Sequence, residues 1–218
     1  MSKRKLPTSA EPVTRNFSLK DLRALDEGNT IEGHPAIYGQ MTNIGGWFHE
    51  VIERGAFDEC NFDDVLFSVN HDLRKIPLAR SRRNNGNSTM LLQVSESGLY
   101  IRAKLDIENN SEAGALYSAV KRGDIDGMSF IFFVDQEKWE DLDSDMPTRR
   151  IQKIKRVMEV SAVNFPAYSG TDINARDQAV LDSAAKTLEN ARSQLDNSKN
   201  ERAIWQLRNQ ILMKMEER

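Results

Sequence analysis

Histidine is the side chain most often used as a general base near neutral pH, and this chain has only three, His34, His49 and His71. No two of them show the His-x-His or His-x-x-x-His spacing that is typical of metal-binding motifs. We therefore predict neither a metal site nor a cofactor. For His34 and His49 the neighbouring residues favour a structural or surface role.

His71 has a different setting, because it follows the apolar run at residues 65–69 and stands where a strand gives way to a loop. In the alternation of a strand it shares a face with Phe67 and Val69. A catalytic base and a buried, hydrogen-bonded histidine both fit this position. The residues alone leave these two interpretations open.

Ser129 stands at the head of an apolar strand, where the polar turn at residues 123–127 leads into residues 130–134. A buried hydroxyl there needs a hydrogen-bond partner. A nearby imidazole would satisfy it and would also take its proton, the step that makes serine a nucleophile. A hydroxyl bonded to the backbone is the alternative, and the residues alone favour it.

Glu159 alternates with Val157, Ser161 and Val163 on one face of a predicted strand. A carboxylate in such an apolar setting is unusual unless it is exposed or paired. It could orient a histidine and stabilise its cation. The alternative is a charge on an edge strand.

Cys60 is the only cysteine, which excludes an intramolecular disulfide and fits a reducing compartment. A nucleophilic thiol needs a lowered pKa. The acidic side chains around Cys60 would instead raise the pKa of its thiol: Asp58, Glu59, Asp63 and Asp64. We therefore disfavour Cys60 as a nucleophile.

The overall composition excludes two classes of protein. Thirty Lys and Arg against 33 Asp and Glu give a formal charge of -3, whereas a dedicated nucleic-acid binder usually has a basic excess. The longest apolar run, residues 130–134, is far shorter than the ~18 residues of a membrane span. We expect a soluble intracellular protein without a membrane segment or a specific nucleic-acid partner.

Composition divides the chain into three parts. Residues 1–28 are basic, contain Pro7 and Pro12, and predict a flexible arm in which little core can be built. Residues 29–170 contain short apolar runs separated by turn residues, with one helix between a cap at Asn110 or Ser111 and Gly123. The acidic stretch at 137–145 and the basic stretch at 149–156 indicate an exposed polar loop leading into a strand.

Residues 171–218 predict amphipathic helices. Apolar residues recur every three or four positions over 181–195, the polar stretch 196–200 predicts a break, and a capping box at Ser198 predicts a second helix. These apolar residues form only a narrow stripe along the helix, so the tail should need a partner to be stable. The chain as a whole predicts a mainly β fold with helices (α+β), a barrel or sandwich followed by a helical tail.

Five segments in this order resemble the prohead maturation proteases of tailed bacteriophages, a serine peptidase family thought to share its fold with the herpesvirus assemblins. The segments are EGHPAIYG at 32–39, ERGAF at 53–57, VNHD at 69–72 with PLAR at 77–80, RGDIDGMSF at 122–130, and EVSAVNFPAY at 159–168. Each is weak alone, but together they cover about 140 residues in the expected order. The resemblance implies an assemblin-like β-barrel with flanking helices.

The resemblance also implies roles for three residues: Ser129 as nucleophile, His71 as general base and Glu159 as the group that orients the imidazole. Assemblins use a second histidine in the third role, but no histidine follows His71 here. Ala79 and Ile131 stand where the family usually or often has glycine. Neither departure removes a catalytic group. The turn at residues 165–168 is one place where an oxyanion hole could lie.

The function implied is that of a serine endopeptidase inside the assembling prohead, in the host cytoplasm. Its partners would be the scaffolding region of the major capsid protein, or a separate scaffold, and other copies of itself in a homo-oligomer that cleaves itself. The basic arm (1–28) and the tail (171–218) would serve assembly and self-processing around a protease domain (29–170). The alternative function is a non-enzymatic capsid scaffold or structural protein that retains the protease fold.

Overall fold

The computed structural model describes residues 13–17, 21–83, 85–164 and 175–216. These residues form eleven strands, two α-helices and a short 3-10 helix, Glu27–Asn29. The strands are β1 (Val13–Phe17), β2 (Arg23–Leu25), β3 (Thr30–Ile37), β4 (Thr42–Ile44), β5 (Phe48–Ile52), β6 (Asp64–Val69), β7 (Ala79–Arg82), β8 (Met90–Val94), β9 (Gly98–Lys104), β10 (Gly127–Glu140) and β11 (Thr148–Val163). The helices are α1 (Ser111–Arg122) and α2 (Ala175–Glu216). The predicted class, mainly β with helices and a helical C-terminal tail, is confirmed.

The strands pair in two sheets. The larger has the order β1-β10-β11-β5-β4, with β6 also beside β11 and β7 beside β6. The smaller has the order β2-β3-β9-β8. Strand β11 is long enough to pair in parallel with both β5 and β6, through residues 148–151 and 159–162 respectively. Its other edge pairs antiparallel with β10. β11 therefore joins every part of the larger sheet.

The main core lies between the two sheets and is built from their apolar faces. Residues 127–132 of β10 are all buried, so this strand runs through the interior. Four almost fully buried aromatic side chains are central: Phe57, Phe67, Phe130 and Phe132. Ile31 and Ile101 of the smaller sheet complete the packing. The long apolar run of β10 thus fixes where Ser129 lies, at the buried end of a central strand.

Helix α1 begins and ends where the sequence predicts. The side chain of its N-cap, Asn110, accepts hydrogen bonds from the backbone N–H groups of Glu112 and Ala113. Gly123 ends the helix at φ 78°, a left-handed conformation that glycine adopts without steric cost. The chain then turns directly into β10.

Helix α2 is continuous, so the predicted break at residues 196–200 is wrong. This stretch has no glycine or proline, and its polar residues lower helix propensity only slightly. The Ser198 hydroxyl donates to the Leu195 carbonyl at 2.7 Å, which satisfies it within the helix rather than as a cap. Ala184 and Leu188 of the predicted stripe are buried against Ile44 and Phe48 of the larger sheet.

Part of the predicted flexible arm belongs to the fold. β1 pairs with β10, β2 pairs with β3, and Val13 and Leu22 are buried in the main core. The expectation of little core in residues 1–28 is therefore wrong for these strands, because β1 has its partner far along the chain and β2 pairs with the strand that follows it. Residues 1–12 and 18–20 lie outside the described residues.

The charged stretches between β10 and β11 are also more structured than predicted. β10 continues to Glu140 and β11 begins at Thr148, so only a short turn remains. Arg149, predicted to be exposed, is fully buried between Glu50 and Glu137. The strands hold these charges because the opposite signs face one another across the sheet.

Candidate active site

Three neighbouring strands of the larger sheet bring together the three residues singled out by the sequence. Ser129 lies on β10, Glu159 lies on β11, and His71 follows the end of β6. In the sheet register Ser129 is opposite Ser161, and Ser161 is opposite Ser68 of β6. Side chains on one face of these strands therefore converge where β6 ends.

The imidazole of His71 bridges the other two side chains. Its Nε2 lies 2.5 Å from the Ser129 Oγ, and its Nδ1 lies 2.7 Å from a carboxylate oxygen of Glu159. An ionised carboxylate only accepts hydrogen bonds, so Nδ1–H is the donor and Nε2 is left to accept the Ser129 O–H. This tautomer is the one in which an imidazole can take a proton from a serine hydroxyl.

Burial separates the site from water. Ser129 and Glu159 are fully buried, whereas the His71 side chain retains 20% of its exposure. Charge interactions are stronger in such surroundings than in water. A histidine that gains a proton here would be stabilised by the Glu159 carboxylate beside it.

The backbone at His71 adopts a conformation that non-glycine residues seldom show. Asn70 and His71 have φ values of 51° and 56°, two consecutive left-handed residues. Three hydrogen bonds hold the turn to β11 and to Asn164, the residue directly after this strand. The N–H groups of Asn70 and His71 donate to the Ala162 carbonyl at 2.9 Å and the Ser161 Oγ at 3.0 Å. The Asn164 N–H donates to the Asn70 side chain at 3.0 Å. Strained turns of this kind persist when their surroundings fix them.

The other two histidines lie elsewhere. His34, on β3 in the smaller sheet, places its Nδ1 2.5 Å from a carboxylate oxygen of Asp21. His49 is on β5, opposite Thr148 at the start of β11. The structure thus separates both from His71.

Ala79 and Ile131 sit in extended strands. Ala79 is buried at the start of β7, opposite Phe67, and Ile131 is opposite Glu159. Neither has the positive φ that would require glycine. The turn at residues 165–168, suggested for an oxyanion hole, lies outside the described residues.

Sequence reasoning missed Ser68 and Ser161 as members of the site. The Ser68 hydroxyl donates a short hydrogen bond to Glu159, and its Oγ is 3.1 Å from the Ser161 Oγ. Ser161 shares a strand face with Glu159, which was a signal for its position. Nothing local in the sequence indicates that Ser68 lies opposite it.

Within the described ranges, no three His, Cys, Asp or Glu side chains form a group that could hold a metal ion. Across the same residues, neither helix has a stretch long and apolar enough to cross a membrane.

Burial raises the pKa of the Cys60 thiol from its ordinary 9.0 to about 12. The predicted direction agrees, but the predicted cause, the acidic neighbours, is replaced by burial. A higher pKa lowers the thiolate fraction, so we expect iodoacetamide at about pH 8 to alkylate native Cys60 about 10²- to 10³-fold more slowly than the unfolded chain. Mass spectrometry of timed samples measures both rates. Equal rates would show that the native thiol is accessible and ionisable.

Sequence comparisons point to one family. The family model of caudovirus prohead serine proteases matches residues 17–187. The prohead protease of Enterobacteria phage HK97 is 26% identical over 168 residues, which cover 74% of this chain and 67% of that protein. The solved structure of the bacteriophage T4 capsid assembly protease has 13% sequence identity and a TM-score of 0.39, with coverage of 70% of this chain and 98% of that one. Because the family model spans most of its length, the chain belongs to the caudovirus prohead serine protease family.

Proposed function

We propose that the chain is a serine endopeptidase of phage capsid maturation, with Ser129 as nucleophile, His71 as general base and Glu159 as the residue that orients His71. The observation that carries the proposal is the line of hydrogen bonds from the Ser129 hydroxyl through both ring nitrogens of His71 to the Glu159 carboxylate. Membership of the family supports the protease activity.

The geometry supports acyl-transfer chemistry in two steps. As the Ser129 Oγ attacks the scissile carbonyl, His71 Nε2 takes its proton and becomes an imidazolium, which the buried Glu159 carboxylate stabilises. The imidazolium then protonates the leaving amine, and an acyl-enzyme remains on Ser129. Water activated by the same imidazole hydrolyses the acyl-enzyme and restores the hydroxyl.

The substrates of the proposed reaction are the scaffolding region of the major capsid protein, or a separate scaffold, and the protease itself, within proheads in the host cytoplasm. The name of the HK97 relative, a prohead protease, and membership of the prohead serine protease family support this setting. We further propose that the chain assembles with copies of itself and that the protease unit comprises residues 29–170 together with β1 and β2, which pair with its strands.

The tail is proposed to attach the enzyme to the assembling capsid. Ala184 and Leu188 pack α2 against the larger sheet. Further along the helix, three large apolar side chains are 56–62% exposed: Ile204, Trp205 and Leu207. Apolar side chains exposed on a helix are suited to pack against another helix. Incorporation into proheads of a chain truncated after residue 170 would contradict this role.

One observation favours the alternative, a structural protein that retains the protease fold. Ser129 is fully buried, so a peptide carbonyl can reach its Oγ only after a neighbouring segment moves. An enzyme needs such an opening, whereas a structural protein does not. The two functions therefore differ in whether Ser129 ever reacts.

The test is to incubate the full chain with the capsid protein of the same phage, with and without a fluorophosphonate that modifies activated serines. Mass spectrometry identifies new chain ends and the modified residue. We expect cleavage that the reagent blocks, an adduct on Ser129, and full activity in Cys60→Ala. Absence of both cleavage and adduct would favour the structural protein, and cleavage that persists with Ser129 modified would exclude the proposed mechanism.

A further inference from the structure

Ser68 and Ser161 form a buried pair directly behind the candidate triad. They face one another across the β6–β11 register, and their side chains are almost fully buried. The Ser161 Oγ accepts the backbone N–H of His71 at 3.0 Å, and the Ser68 hydroxyl donates to one carboxylate oxygen of Glu159. The pair therefore connects the backbone of the proposed base to the proposed orienting residue.

Counting protons gives these hydrogen bonds a single direction. Each hydroxyl carries one proton, and that of Ser68 is used toward Glu159. Ser68 can then only accept in the 3.1 Å contact between the two Oγ atoms. The Ser161 hydroxyl has two acceptors within reach, the Ser68 Oγ and the Ala162 carbonyl at 3.4 Å, and we assign its proton to the shorter contact, with Ser68. Ser161 in turn accepts from the His71 N–H. Hydrogen bonds thus run from the His71 backbone through Ser161 and Ser68 to one oxygen of Glu159, while the His71 ring donates to the other oxygen.

The result is a closed hydrogen-bonded circuit that starts and ends at His71. Both oxygens of Glu159 are occupied, so the carboxylate cannot rotate without breaking a hydrogen bond to either His71 or Ser68. The Ser161 hydroxyl also supports His71 at φ 56°, a backbone conformation that non-glycine residues seldom adopt unless their surroundings fix it. Polar networks that are fully satisfied in this way are rigid.

We propose that Ser68 and Ser161 are positioning residues, which act through Glu159 and His71 to hold the imidazole in line with Ser129. The inference rests on the proposed protease function. Small displacements of a general base lower the rate of the chemical step and leave ground-state binding intact. Loss of either hydroxyl should therefore lower kcat and leave KM unchanged.

The test compares Ser68→Ala, Ser161→Ala and their double variant with Ser81→Ala, which removes a hydroxyl equally buried in neighbouring β7. We expect each single change in the pair to lower kcat about 10- to 100-fold at constant KM, and Ser81→Ala to leave it near wild type. Either change breaks the same hydrogen-bonded circuit. The kcat of the double variant should therefore be no lower than that of the less active single variant. Ser68→Thr, which keeps the hydroxyl, should recover most of the activity.

The outcomes distinguish this inference from the proposed function. If Ser129→Ala retains full activity, the protease mechanism itself is wrong. If activity depends on Ser129 but both alanine variants match Ser81→Ala, only the positioning role fails. Losses that multiply in the double variant, or a matching fall in folded protein by circular dichroism, would show two independent structural effects rather than one circuit.

Discussion

Replacing Ser129 by alanine is expected to lower kcat for capsid-protein cleavage by about 10⁴- to 10⁶-fold. The change removes the Ser129 Oγ, which lies within hydrogen-bonding distance of His71 Nε2. Among the described contacts of Nε2, this is the only oxygen that could attack a carbonyl. Alanine fits the same extended strand, so the fold should persist and substrate should still bind. Quantitative mass spectrometry of the cleavage products over time measures the loss.

A surface serine provides the control for this change. Ser118 lies on α1, where its hydroxyl accepts a hydrogen bond from Arg122, and Ser118→Ala should cleave at the wild-type rate. His71→Ala should be about as inactive as Ser129→Ala, and the double variant no worse, because the proposed mechanism uses the two residues in one proton transfer. Cleavage by Ser129→Ala within tenfold of wild type would disprove the nucleophile assignment.

The second large effect concerns stability and Arg149. Its guanidinium is fully buried, with Nη1 3.0 Å from an equally buried carboxylate oxygen of Glu50 and Nε 2.9 Å from Glu137. Its charged end also lies 5.9 Å from the centre of the Trp139 ring. Arg149→Met leaves the Glu50 carboxylate in the interior without its cation, so we expect the free energy of unfolding to fall by about 3–5 kcal/mol. Urea denaturation followed by tryptophan fluorescence measures the change.

An exposed ion pair and a compensating change serve as controls. Arg80 pairs with Asp64 at 2.7 Å, but both side chains are more than one-third exposed, so Arg80→Met should alter stability little. Adding Glu50→Gln to Arg149→Met removes the uncompensated charge and should restore part of the loss. If Arg149→Met and Arg80→Met lowered the free energy of unfolding equally, burial of the Arg149–Glu50 pair would contribute nothing to stability.

The three side chains of the candidate triad could be singled out from the sequence because each leaves a local signal. Ser129 and Glu159 are polar positions in apolar strands, and His71 follows one. The roles themselves came from the order of five family-like segments. Alternation within a strand gives the face on which a side chain lies, but not the strand beside it. This is why Ser161 was placed on the correct face while its contact with Ser68 was not foreseen.

Two predictions elsewhere in the chain were wrong for the same reason, because contacts between distant segments are not visible in the local sequence. Local composition predicted that Arg149 would be exposed. It is instead buried, because carboxylates of β5 and β10 form ion pairs with it in the interior. β1 likewise joins the core only because β10, far along the chain, offers it an edge. Interactions between distant segments override local preference in each case.

The position of β11 has a consequence for the timing of synthesis. This strand emerges from the ribosome after all its partners, β10, β5 and β6, although it lies between them in the sheet. A nascent chain that ends before Glu159 lacks both the carboxylate and the backbone to which the His71 turn is bonded. Pairing of this kind between remote segments also forms slowly. A chain that ends before Glu159 therefore has no assembled candidate triad, so under the proposed function it could not cleave proteins around it.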